Sequence, residues 1–447
     1  MSKGLPLPPG FFRCPPLRNA DVQHLRSIAD EACADTIANA LAMAKLPPKK
    51  VVAHPRTKRH VQLHHGPDLR QPELDGITGV TQIATNYDEL HNFYHLQTAK
   101  QVRTYSKVAS QTLLDRVTLY TLERSTSPFR VTSVVWAAIE TPILKLLPGA
   151  IAKRDTCYIE CIRDVTVVDG DRVRRGFLRV INSIELACCP SLEASHGLAR
   201  GQLYRSGHIL LESLDHDGLF DFYSTYGGDA SGSIPRSIKL KAMEHFVGQM
   251  LRVEDHFCQD RITTRLAMQQ RAFVAPAPFR AKAPFCELCF KSFHLLSQKL
   301  QCFFCHKMAC KRCAHVLQAE TMAFPKKIRV CTTCYCPTSR RRTTTTVHSD
   351  TLSDEASSVY TVGGPIALDD DDDKPRAIQL YPQNERRRSS MTQPTMIDDD
   401  DEWGFTRTTT ALSVLDSRSS FSSYAPSVVA PSATGAGDST RGQYGYY

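Results

Sequence analysis

Four C-x2-C pairs constrain this chain more than any other feature: Cys286/Cys289, Cys302/Cys305, Cys310/Cys313 and Cys331/Cys334, separated by twelve, four and seventeen residues. Eight thiols fall within about fifty residues. A tetrahedral Zn2+ takes four soft ligands at about 2.3 Å, and two cysteines with two residues between them bring both sulfurs to one ion from a tight turn. Four pairs therefore make two closed sites. Only four residues part the second pair from the third, too short a connection for those two to wrap one ion while the outer pairs meet. Interleaving is the easier solution. The spacing predicts Cys286, Cys289, Cys310 and Cys313 around one Zn2+, and Cys302, Cys305, Cys331 and Cys334 around the other. Both ions are then structural and supply folding energy that so small a core lacks. Cys336 is left over. A disulfide framework is the competing reading, but it belongs with a secretory signal, and the apolar run in residues 1–13 is too short for one.

The ladder resembles the FYVE zinc finger. Phe293 falls where that family has an aromatic residue after the first pair, and Arg329-Val330-Cys331 reproduces its R-V-C motif. The family's R-R/K-H-H-C-R-x-C-G segment is replaced by Gln298-Lys299-Leu300-Gln301-Cys302-Phe303-Phe304-Cys305-His306, and W-x-x-D is absent, since neither Trp136 nor Trp403 lies near Cys286. The resemblance implies a cross-brace finger over residues 284–337 that reads phosphatidylinositol 3-phosphate through charge-assisted hydrogen bonds. Of the residues that carry those contacts, Lys299 and Arg329 remain. A RING-like ubiquitin-ligase finger is the alternative, with His306 and His315 as its histidines.

Composition places the finger at the end of a larger folded part. Of 55 Lys and Arg and 46 Asp and Glu, residues 338–447 hold 11 and 16, leaving 44 against 30 in residues 1–337. The folded part is basic and the tail acidic, a balance suited to an anionic membrane surface. Nucleic acid is not expected as a partner, because the sequence shows neither a recognition-helix signal nor an aromatic stacking motif. No apolar stretch reaches transmembrane length. The expected location is the cytoplasm, with peripheral attachment to endosomal membranes.

After a Pro-rich lead over residues 1–19, apolar residues at helical spacing (Val22, Leu25, Ile28, Ala29, Ala32, Ile37, Leu41, Ala44) predict a helix over 21–46, stopped by Pro47 and Pro48. Residues 61–65 alternate as a strand, so His64 and His65 point to opposite faces and do not share a metal. Residues 76–85 predict a strand and 87–110 a helical region. Residues 117–122, 133–139, 156–168 and 173–186 then read as an antiparallel meander, turned at Asp169-Gly170-Asp171. A further strand covers about 198–214. Ser233 and Pro235 begin a helix whose stripe is Ile238, Ala242, Phe246, Met250, Val253 and Phe257.

This order predicts an α+β domain with a helix-grip plan, an antiparallel sheet crossed by a C-terminal helix. It resembles the START lipid-binding domain over residues 20–260. Arg154-Asp155-Thr156-Cys157-Tyr158-Ile159-Glu160, Cys189-Pro190-Ser191-Leu192-Glu193 and Gly201-Gln202-Leu203-Tyr204-Arg205-Ser206-Gly207 look like stretches of the START-like domains that precede FYVE fingers in oomycete proteins. The resemblance implies a cavity for one apolar lipid, with Arg179, Asn182, Glu185 and Glu212 as candidate internal polar groups. A filled core serving as a scaffold is the alternative.

Residues 261–283 read as a linker, and 338–447 as a disordered Ser/Thr-rich acidic tail with a basophilic kinase pattern at Arg386-Arg387-Arg388-Ser389-Ser390. No G-x-S-x-G, phosphate-binding glycine loop or H-E-x-x-H segment occurs. Vicinal Cys188-Cys189 would close a strained ring and reads as packing. The expectation is a non-catalytic, lipid-binding, two-zinc adaptor. The alternative is a protein-interaction or RING-like ubiquitin-ligase module.

Overall fold

Helix α1 (Asn19–Ala44) follows the predicted periodicity: Leu25, Ala29, Cys33, Ile37 and Ala40 are all buried. Asp21 closes its first turn by accepting from the Arg18 backbone and guanidinium at 3.1 and 2.9 Å. This computed structural model describes residues 4–140, 152–229, 234–271, 280, 283–294, 296–320, 325–336, 358–362 and 377–378.

Strands β1 (Lys50–Ala53), β2 (His60–Pro67) and β3 (Asp75–Ala84) lead to α2 (Tyr87–Tyr94) and α3 (Ala99–Ala109), which are capped by the side chains of Asn86 and Thr98. The meander is β4 (Leu113–Thr126), β5 (Phe129–Ile139), β6 (Lys153–Asp169) and β7 (Arg172–Ser183). Between β6 and β7, Asp169 pairs with Arg172, and Gly170 takes φ 60° at the first of the two loop residues, where a tight hairpin turn favours glycine. Then come β8 (Glu185–Leu186), α4 (Glu193–His196), β9 (Leu198–Arg200), β10 (Gln202–Glu212), β11 (Leu219–Asp229), α5 (Arg236–Gly248) and α6 (Leu251–Arg271).

One sheet runs β1-β2-β3-β11-β10-β7-β6-β5-β4, antiparallel at every step. Strand alternation gives it two apolar faces. Trp136, Ile159, Leu178 and Ile209 pack with α1 and the N-terminal lead, while Val131, Ile162, Phe177 and Phe222 pack with α2, α3, α5 and α6. The α+β helix-grip plan predicted from the sequence is the plan observed.

Several details differ from the sequence reading. The stretch 50–53 is an edge strand, and β11, which joins β3 to β10 at the centre of the sheet, was not anticipated. The last helix is two helices: Met250 N bonds Val247 O at 3.1 Å and Val253 N bonds Met250 O at 3.1 Å, so the backbone tightens where Gln249 Oε1 accepts from Gln111 N at 2.8 Å. Ser233, the expected cap, lies outside the described residues; Pro235 directly precedes α5. Residues 261–271, expected as linker, continue α6, because Ile262 and Leu266 bury against the finger.

The finger contains β12 (Lys299–Gln301) paired with β13 (Met308–Cys310), β14 (Ala314–Glu320) paired with β15 (Pro325–Cys331), and α7 (Thr332–Tyr335). Within the expected tail, β16 (Ser358–Val362) runs parallel to β6 from Val165 to Asp169, continuing past Arg163, where β5 ends its own pairing. That stretch is ordered by a strand edge, a term local composition does not contain. The short β17 (Ala377–Ile378) pairs with β8. The acidic blocks and the Arg386–Ser390 pattern fall outside the described residues.

Candidate metal centres and internal cavity

Cysteine-bearing turns of one design build both candidate metal centres. Phe290 N bonds Cys286 O at 2.8 Å and Cys286 N bonds Lys291 O at 2.9 Å; His306 N bonds Cys302 O at 3.0 Å and Cys302 N bonds Lys307 O at 2.9 Å. Phe290 and His306 both adopt left-handed backbone, with φ of 58° and 59°. Each turn supplies two of the four sulfurs of one centre. The second half of each centre comes from farther along the chain.

The four sulfurs of Cys286, Cys289, Cys310 and Cys313 lie within 4.8 Å of one another, as do those of Cys302, Cys305, Cys331 and Cys334. The interleaved pairing read from the spacing is the one the fold assembles. Cys289 Sγ to Cys310 Sγ is 3.8 Å and Cys305 Sγ to Cys331 Sγ is 3.6 Å, against the ~3.8 Å edge of a tetrahedron with 2.3 Å metal–sulfur bonds. Backbone amides of Cys310 and Cys331 donate to Cys286 Sγ and Cys302 Sγ at 3.3 Å, which favours thiolates. Each tetrad can hold one metal ion. His306 and His315 belong to neither: His306 is exposed, and the His315 ring lies 5.1 Å from that of Tyr335.

The finger rests on α6. Tyr335 Oη donates to Asp255 Oδ1 at 2.5 Å, Cys336 Sγ lies 3.3 Å from Glu254 Oε1, and the Arg265 guanidinium covers the Phe304 ring at 4.3 Å. Glu254 also accepts from Arg59 and Ala84 N, and Asp255 pairs with Arg56 at 2.7 Å. Of the two headgroup candidates, Lys299 Nζ donates to Ala283 O at 2.9 Å beside the Phe293 ring, whereas Arg329 is exposed on β15. Leu296, just before β12, is 101% exposed, and Phe290 74%.

A second site lies between the sheet and α5. Two adjoining cavities of about 60 and 80 Å3 share Ile139, Thr156, Leu203, Tyr226 and Phe246 as walls. The second is also lined by Thr112, Arg116, Tyr158 and Arg179. Glu160 lies beneath, 1% exposed, and accepts from both Arg116 and Arg179, the latter at 2.6 Å. Burial opposes its charge, yet the two guanidiniums outweigh burial and hold its carboxyl below the usual range. His208 Nδ1 is 2.7 Å from Tyr94 Oη; burial, with Arg179 nearby, lowers its pKa to about 3. Arg116 Nε and Thr112 Oγ1 are buried and have no hydrogen-bond partner among the described residues.

Arg179 is therefore an internal polar group, as the sequence suggested. Asn182 accepts from Arg205 N at 3.2 Å and Glu212 from Tyr87 Oη at 3.1 Å, while Glu185 sits on β8; none of the three lines either cavity. Arg116 and Glu160 escaped the sequence reading because charged residues in strands usually face solvent. A same-face pattern of opposite charges on β4, β6 and β7 was the available signal. His64 and His65 diverge as expected: His64 Nδ1 meets Leu46 O at 2.6 Å and His65 Nε2 meets Glu244 at 3.4 Å.

No family model and no curated protein sequence matches the chain. Among solved structures, human StAR-related lipid transfer protein 5 aligns with 53% of this chain and 99% of its own, at 14% identity and a TM-score of 0.36. Human STARD10 aligns with 58% and 86%, at 12% identity and 0.33, and the human StarD13 (DLC2) lipid transfer and protein localization domain with 54% and 98%, at 12% and 0.31. No helix among the described residues is long and apolar enough to cross a membrane.

Proposed function

We propose that this chain is a non-catalytic adaptor that takes one lipid between its sheet and α5, holds a structural Zn2+ in each cysteine tetrad, and attaches peripherally to anionic membranes through a FYVE-related finger. Arg116 Nε and Thr112 Oγ1 carry the lipid reading: buried donors left without acceptors cost about 1–3 kcal/mol each, and a ligand headgroup that accepts from them offsets that cost. The walls of Ile139, Leu203, Tyr226 and Phe246 suit its apolar part. Cavities of about 60 and 80 Å3 fall short of the ~300–1,000 Å3 typical of ligand sites, so loading requires α5 to move outward. Its outer ties are weak: in Lys50–Glu244 and Arg236–Asp75 the basic partner is largely exposed, so solvent screens the pair.

Zinc is favoured over other metals by two all-thiolate tetrahedra with no open position. The non-catalytic reading rests on the buried titratable groups. Glu160 is held ionised by two arginines and His208 is held neutral, the opposite of groups poised to exchange protons near neutral pH.

For the membrane, exposed Leu296 lies five residues along the chain from exposed Lys291, a combination suited to inserting an apolar tip while a basic residue meets anionic headgroups. The engagement of Lys299 with Ala283 O favours the rival, a protein-interaction or RING-like module on a scaffold domain. Flotation of the full zinc-loaded chain on phosphatidylcholine vesicles, alone or with phosphatidylserine or phosphatidylinositol 3-phosphate, separates them. The proposal expects binding to the anionic vesicles and a loss of about tenfold or more in Leu296→Asp. No binding, or binding indifferent to Leu296→Asp, supports the rival. Selectivity for the 3-phosphate supports the endosomal location.

A further inference from the structure

Eight of the sixteen cysteines lie outside the tetrads, and the fold sets them thiol against thiol: Cys14 with Cys188, Cys33 with Cys161, Cys157 with Cys189, and Cys258 with Cys336. All are free thiols. Vicinal Cys188 and Cys189 thus face different partners. In three of the contacts at least one thiol is buried, whereas Cys14 and Cys188 are both half-exposed. That contact joins two remote parts of the chain: the lead before α1 and the turn after β8. Cys14 Sγ lies 4.0 Å from Cys188 O, and Tyr120 Oη, which donates to Pro15 O at 2.8 Å, is 3.6 Å from Cys188 Sγ.

We propose that Cys14 and Cys188 form a reversible dithiol–disulfide site that fastens the N-terminal lead to the sheet, with small-molecule disulfides of the glutathione type as oxidant. In the first step the Cys188 thiolate attacks one sulfur of the disulfide; a mixed disulfide forms and one glutathione thiolate leaves. In the second, the Cys14 thiolate attacks the Cys188 sulfur and expels the other glutathione. The two protein thiols give up two electrons and two protons, and two glutathione thiols carry them away.

The environment divides the roles. The hydrogen bond from Cys14 lowers the Cys188 pKa to about 6, against burial and with help from Tyr120, while Cys14 itself is raised. With the Tyr120 hydroxyl 3.6 Å from its sulfur as well, Cys188 is assigned as the attacking thiol and Cys14 as the resolving one. Closure bears on the cavity through a shared carboxylate. Leu7 N, in the lead, donates to Asp115 Oδ2 at 2.7 Å, and Arg116 N, of the cavity wall, donates to Asp115 Oδ1 at 2.8 Å. Phe12 of the lead also packs 5.3 Å from Trp136.

The test equilibrates the full zinc-loaded chain with oxidised glutathione, alkylates the remaining thiols, and maps non-reduced peptides by mass spectrometry, with a Cys189→Ala background to separate the neighbours. Expected are a Cys14–Cys188 linked peptide, unchanged zinc content, slower proteolysis of the lead, and accumulation of glutathione on Cys188 in Cys14→Ser. Three results would overturn the proposal. They are a Cys188 that stays free, a Cys188 that keeps glutathione although Cys14 is present, or loss of zinc before any link forms.

Discussion

Tyr335 Oη donates to Asp255 Oδ1 at 2.5 Å, and both residues are buried, so the last turn of the finger is fixed to the second turn of α6. Burial, then the Asp255 carboxylate, pushes the phenol pKa well up, so the hydroxyl keeps its proton and remains the donor. The finger is a continuation of the helix-grip domain rather than a bead on a linker. The cavities under α5 and the exposed Leu296 therefore belong to one connected body.

Tyr335→Phe removes this donor while keeping the ring. It is expected to destabilise the chain by about 1–3 kcal/mol in urea unfolding, because the Asp255 carboxylate loses a buried partner. Bound metal should stay unchanged. An unchanged urea midpoint in Tyr335→Phe would show that the contact carries no weight.

The tetrads predict zinc stoichiometry. Metal analysis of the purified full chain should give two zinc ions per chain, about one in Cys302→Ser, and two in Cys336→Ser, since Cys336 belongs to neither cluster. A loss in Cys336→Ser would reassign the ligands.

His208 sets an acid limit. Its folded pKa of about 3 lies below the ordinary value of 6.5, so below pH 6.5 the unfolded chain takes up a proton that the folded chain refuses. Stability is lost as pH falls from about 6.5 toward 3, at up to about 1.4 kcal/mol per pH unit from this group. Urea midpoints of the parent should fall relative to His208→Gln across that window and run parallel to it above pH 7. Parallel curves throughout would place the imidazole in a wetter setting.

Much of this was legible in the sequence, and for identifiable reasons. Spacing alone gave the interleaved tetrads, because a four-residue gap leaves so few ways to close two tetrahedra. Helical periodicity gave α1, and Asp169-Gly170 gave the β6–β7 turn. Strand β11 escaped because Ser224, Gly227 and Gly228 dilute its alternation, and its place comes from pairing with β3 and β10, which are remote in sequence. The joint at Gln249 depends on the distant Gln111, and β16 on an edge of β6 that β5 leaves open. Arg179 could be nominated, but its companions Arg116 and Glu160 become visible only once the four strands β4 to β7 are aligned.

The central claim is that the space beneath α5 receives a lipid. Native mass spectrometry of the full chain, incubated with mixed phospholipid and sterol vesicles and then separated from them, measures this directly. The account predicts one lipid per folded chain, and loss of that adduct in Ala242→Trp, which fills the cavity from α5. A folded chain that takes up no lipid, or an Ala242→Trp variant that loads as well as the parent, would contradict it.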